Sequence, residues 1–97
     1  MNTTALASLS ASIRYAFPFG EREMLDAVAP FVSAVKVGVV DGRRRISLAG
    51  VAGIWREDGR WTFGTADVRD GVEVLPEQLA SLVLSSGAAR QDASASA

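Results

Sequence analysis

The sequence predicts an α+β fold: a curved antiparallel β-meander of three to five strands, one amphipathic helix packed across it and a short C-terminal helix. Three observations carry this reading. Asp41-Gly42 and Asp58-Gly59 each lie between residues of high strand preference. Asp-Gly is a favoured filler of the two-residue type I′ turn, because both central positions need positive φ. Second, the registers that these turns impose agree with each other. A reversal at 41–42 sets Val39 opposite Arg44, Val37 opposite Ile46 and Val35 opposite Leu48; one at 58–59 sets Arg56 opposite Trp61, Ile54 opposite Phe63 and Ala52 opposite Thr65. With side chains alternating at period two, both place Val35, Val37, Ile46, Leu48, Ile54, Trp61 and Phe63 on one side. Third, Met24, Leu25, Val28, Phe31, Val32 and Val35 form a one-sided apolar stripe at helical spacing ahead of the meander.

In chain order, residues 1–10 read as an N-terminal arm or short helix, with Leu6 and Leu9 as the large apolar groups. From Ala11, Ile13, Tyr15, Phe17 and Phe19 alternate with Ser12, Arg14, Ala16 and Pro18, a period-two pattern of aromatic and β-branched residues that predicts a strand ending at Pro18. A helix over 4–15, using Leu6, Leu9 and Ile13, competes with it. Glu21 and Glu23 open the clearest helix, where the macrodipole favours acidic groups. Pro30 interrupts that helix as a kink or as the start of a second short turn. The meander spans about 34–68, and its central strand, 43–57, is so long that Gly50 and Gly53 are expected to bend it. Asp70-Gly71 predicts a third turn and 72–74 a short strand. Pro76 then begins a helix over 76–86 with Leu79, Leu82, Val83 and Leu84 inward, and 87–97 reads as a disordered tail of low complexity. The organisation is therefore a single domain over 11–86 with flanking segments.

Composition narrows the function classes. The 97 residues, 48% of them hydrophobic, suffice for one domain with its own core. Cysteine and histidine are both absent, which removes disulfides, thiolate metal sites, the usual zinc ligand and the usual general base near neutrality. Ten basic residues stand against eleven acidic ones, at a sequence pI near 5.3, so no overall field gathers nucleic acid or an anionic membrane. No secretory pattern and no apolar run of about 20 residues is present, and the expectation is a soluble cytoplasmic protein with no membrane partner.

The motifs point toward binding more than chemistry. The remaining nucleophiles and carboxylates occur in no spacing that a mechanism requires, and neither a calcium loop nor a glycine-rich phosphate loop ahead of a helix is found, so the chain reads as a non-enzyme without cofactor or metal. Arg43-Arg44-Arg45 suits phosphate contacts, but adjacent strand residues do not share a face, and the acidic pI disfavours nucleic acid. Trp55, by register, turns away from the core side onto a second face of small residues. Either the C-terminal helix or the expected strand at 13–19 covers that face, or Trp55 and Arg60, with Val51 and Arg56, form an interface, since Trp and Arg are enriched among hot spots. The stretch from Ile54 to Phe63 resembles the closing hairpin of helix-on-curved-sheet folds such as the cystatin-like group, which implies a fold and no activity. The functional expectation is a small protein-binding module acting as an inhibitor, immunity or accessory protein. A homo-oligomer joined through the second face is the alternative, and nucleic-acid binding through Arg43–Arg45 is the third.

Overall fold

The computed structural model of the chain describes residues 3–65 and 70–89. Two helices, α1 (Thr3–Ala16) and α2 (Glu21–Val28), and a 3-10 turn at Ala29–Phe31 lead into five strands, and α3 (Pro76–Ser85) follows them. The strands β1 (Val35–Val40), β2 (Arg43–Leu48), β3 (Ala52–Glu57), β4 (Arg60–Thr65) and β5 (Val72–Glu73) form one antiparallel sheet in chain order.

Both Asp-Gly pairs reverse the chain with positive φ at each residue, 53° and 79° at Asp41 and Gly42, 52° and 76° at Asp58 and Gly59. The pairings follow as the turns dictate: Val37 faces Ile46 and Val39 faces Arg44, while Ile54 faces Phe63 and Arg56 faces Trp61. Ile46, Leu48, Ile54 and Trp61 are buried on one face, with Val35, Val37 and Phe63 packed at its margin. Against that face lie Leu9 and Ile13 of α1, Met24 and Val28 of α2, and Leu79 and Val83 of α3, all fully buried. Each such side chain contributes roughly 1.5–3 kcal/mol by leaving water, so the three-helix layer supplies the apolar half of the core.

Four expectations are corrected. The strand expected from Ala11 is the second half of α1. Its buried residues are Ala5, Leu9, Ile13 and Ala16, a stripe at helical spacing in which two of the inward positions are alanines, the strongest helix former. The aromatic alternation behind the strand reading is incidental, because Tyr15 is 74% exposed and stacks on Phe19 at 5.6 Å outside the core. The long central strand is two strands. Between β2 and β3 the chain reverses through Ala49 and Gly50, at φ of 54° and 75°, closed by Val51 N–H donating to Leu48 O at 3.1 Å. The inward residues keep their side because the new hairpin pairs Ile46 with Ile54 and Leu48 with Ala52, even number against even number.

The tail expected to be disordered from Gly87 is built into the fold as far as Ala89. Ala88 is fully buried, Ser33 N–H donates to Ala88 O at 2.9 Å, and Ala89 bridges Val32. Leu82, expected inward on α3, is 38% exposed, and Ala80 takes an inward place instead. Three further elements fall where they are expected, β5 and α3 each ending one residue sooner. The 3-10 turn accommodates Pro30, β5 occupies Val72–Glu73, and Pro76 opens α3, where the Leu75 N–H donates to Gln78 Oε1 at 2.9 Å. The end of the meander expected at 66–68 lies outside the described residues, as do residues 90–97 of the expected tail.

Candidate functional site

The second face of the sheet carries no helix among the described residues, and its centre is nevertheless buried. Trp55 points there as the register requires, but with 2% exposure it is a packed residue and not a presented anchor. The covering group is local. Arg45 leaves β2, passes over Gly53 of β3 and donates from Nη2 to Thr65 O of β4 at 2.7 Å, with its guanidinium carbon 4.4 Å from the Trp55 ring centre. Neither the C-terminal helix nor the N-terminal segment is needed to close this surface.

Three glycines make the arrangement possible. A Cβ at Gly53 would lie 2.1 Å from Arg45 Nε; at Gly64, 2.9 Å from Trp55 Cη2; at Gly71, 2.5 Å from the same Trp55 atom and 2.7 Å from Phe63 O. The indole and the guanidinium thus occupy the volume that side chains at these positions would fill. Burial lowers the Arg45 pKa, with the charge of Asp41 opposing the shift. Arg45 Nε and Trp55 Nε1 have no hydrogen-bond partner in this packing, so it is held together by stacking and one charged bond.

The other expected interface residues do not assemble into a surface. Arg60 stands on the second face, 3.5 Å from Glu73 of β5. Val51, 44% exposed, is in the turn at the opposite end of β3, about 20 Å away for a strand of this length. Arg56 points to the core side, donates from Nη1 to Phe19 O and lies 6.0 Å from the Trp61 ring centre. Trp61 itself donates from Nε1 to Phe17 O at 2.8 Å, which ties the α1–α2 connection to the sheet. The Arg43–Arg45 run is committed internally: Arg43 approaches Glu57 and Asp70 at 3.5 and 3.6 Å, Arg44 holds Glu21 through Nε at 3.0 Å and Nη2 at 2.8 Å, and Arg45 is buried. The hydrogen bonds from Arg44 hold Glu21 below the usual carboxylate range and raise Arg44 in turn.

What sequence reasoning passed over is the outer edge of β1. The sheet ends on one side in the two residues of β5 and on the other in the six of β1. Ala49 N–H donates to Ala34 O at 2.6 Å, so even-numbered residues of this segment bond inward to β2. The N–H and C=O groups of Val35, Val37 and Val39 therefore point outward, where no further strand pairs with them among the described residues. Val39 is 65% and Val40 38% exposed, and Lys36 is the single charge along the strand. Natural edges are blunted by shortness, proline, bulges or several charges. This one has only Lys36. The signal was present in the run Val35–Val40, which holds four valines and no proline.

Among the described residues no cluster of side chains could hold a metal ion, and no helix is long and apolar enough to cross a membrane. The chain matches no family model, no curated protein and no solved structure.

Proposed function

We propose that this chain is a small non-enzymatic protein-binding module, of inhibitor, immunity or accessory type, that takes an extended segment of another protein along the free edge of β1. The carrying observation is the asymmetry of the sheet: a six-residue apolar edge with outward backbone groups at one side and a two-residue edge at the other. Strand addition draws affinity from main-chain hydrogen bonds and specificity from alternate side chains. Val37 and Val39 flank the added strand on the core side and Lys36 on the second face. A partner segment that alternates apolar with acidic residues satisfies both. The packed state of Trp55 supports this reading over assembly through the second face, since the indole expected to drive such assembly is occupied by Arg45.

The test begins with a partner retained from the host and purified. Val39→Pro removes an outward N–H without touching an inward rung, because proline is tolerated where a strand edge faces solvent. The variant is expected to bind the partner at least tenfold more weakly while its circular dichroism is unchanged. Lys36→Glu is expected to weaken binding as well, and it decides the matter if the proline variant fails to fold. Unchanged binding in the folded variants, or no retained partner, overturns the proposal. Self-association of the wild type at micromolar concentration that Val39→Pro abolishes would make the occupant a second copy, and also overturns it.

A further inference from the structure

A second surface lies where α1 meets α2, and it does not depend on the edge of β1. Ala11, Ser12 and Tyr15 of α1 and Glu23, Asp26 and Ala27 of α2 line a groove of about 460 Å³ that is open to solvent. Ala11 and Tyr15 are four residues apart, as are Glu23 and Ala27, so each pair stacks one turn above the other, beside the stripes that the two helices bury through Ile13 and Met24. The alanines and Ser12 are small and leave the groove unfilled. Tyr15 rises at its wall. Phe19 backs one side of that ring, and the rest of it faces solvent.

The charges of the groove are of one sign. Two carboxylates line it and no cation does. The cations nearby are engaged elsewhere: Arg14 pairs with Glu77 of α3, and Arg44 with Glu21. Arg22 stands four residues ahead of Asp26, the order of charges that a helix rewards less, and neither takes part in an ion pair among the described residues. Counting Arg22 still leaves one carboxylate in excess. Glu23 has a task in the fold, since its Oε1 accepts from the Gly20 N–H, and its Oε2 remains. Asp26 has none. It lies in the last turn of α2, where the macrodipole disfavours an acid, and three residues from Glu23, where like charges repel. An acid that the fold does not reward, beside an exposed aromatic ring, has its complement outside the chain.

We infer that this groove docks an arginine side chain of a partner protein, the guanidinium stacking on the Tyr15 ring and donating to the Asp26 and Glu23 carboxylates. A guanidinium is planar and weakly hydrated and carries five N–H donors, so it lies on a ring and serves two carboxylates at once. An ammonium is a strongly hydrated point charge and does the first of these less well.

The probe is a capped peptide of alanines with one central arginine, added to the full chain at neutral pH and low ionic strength and followed by NMR. Saturable shifts are expected at the Tyr15 ring protons and at the backbone amides of residues 12, 23, 26 and 27. Tyr15→Leu and Asp26→Asn are each expected to weaken binding about threefold, and the double variant about tenfold, in keeping with one exposed cation–π contact and one exposed ion pair. The peptide with lysine in place of arginine is expected to bind more weakly. Because the fold gives Asp26 no partner, Asp26→Asn should leave Tm unchanged or raise it. Equal affinity in the variants, equal affinity of the lysine peptide, shifts spread over all exposed carboxylates without saturation, or a lowered Tm in Asp26→Asn would overturn the inference.

Discussion

Replacing Gly53 by alanine should evict Arg45 from the second face, and the consequence can be worked through from the packing. The new Cβ would stand 2.1 Å from Arg45 Nε and 2.8 Å from both Cδ and Cζ, well inside contact distance along the middle of the side chain. Arg45 must then leave, losing its bond to Thr65 O, of a charged kind that contributes about 1.5–3 kcal/mol. It also loses its stacking on Trp55, about 1–2 kcal/mol at a desolvated site. Two terms oppose this loss: the guanidinium regains hydration, including an Nε that is buried without a partner, and alanine is better than glycine in a strand by about 0.5–1 kcal/mol. The expected net cost is about 2 kcal/mol, or roughly 8–16 °C in Tm for a domain of this size. In an Arg45→Ala background the clash is gone, so the same glycine substitution should be neutral or stabilising by about 0.5 kcal/mol. Urea denaturation of wild type, both single variants and the double variant, followed by tryptophan fluorescence, measures the coupling directly. A Gly53→Ala cost that is the same in both backgrounds would refute the claim that Arg45 occupies this space.

Two more glycine substitutions separate conformation from crowding, since a Cβ added at Gly38 or at Gly50 would meet no atom within 4 Å. Gly50, at φ 75°, should lose about 1–2 kcal/mol on mutation to alanine, whereas Gly38, in the extended β1, should gain up to about 0.5–1 kcal/mol; equal effects in thermal melts would contradict this. Arg44→Gln tests the Glu21 pair through pH. Because Arg44 depresses Glu21, the stabilisation is fully present above the ordinary carboxylate value of 4.5 and is lost as pH falls through the lower folded value. The stability gap between wild type and variant should therefore be widest near neutrality and close in acid, and a gap that widens below pH 4.5 would show the pairing to be absent.

The parts of this fold that could be read from the sequence are those with strong local chemistry. Asp-Gly specifies a turn almost by itself, and two of them set the pairing of four strands and the inward side of each. The Ala49-Gly50 reversal carries no such mark, because alanine enters the left-handed region only at a cost of about 1–2 kcal/mol. The neighbouring strand pairing holds it there, and that pairing is a tertiary fact. The first helix was obscured for a related reason. Its inward alanines at 5 and 16 have little hydrophobic weight, while the bulky Tyr15 and Phe19 that dominate the pattern face outward.

The candidate sites show the same division. The direction of Trp55 followed from register, yet its burial depends on where the Arg45 side chain goes and on the empty volume at Gly53, Gly64 and Gly71, three positions distant in sequence. The open edge of β1 required the strand order. The groove between α1 and α2 required the knowledge that residues 11–16 are helical.

Amide hydrogen exchange along β1 tests the central claim, that this edge is open and is the surface that takes a partner. In the free protein at low concentration, the amides of Lys36, Gly38 and Val40 should exchange slowly and those of Val37 and Val39 fast, and in the complex Val37 and Val39 should become as protected as their neighbours. Protection of Val37 and Val39 in the free monomer, or fast exchange that persists in the complex, would contradict the account.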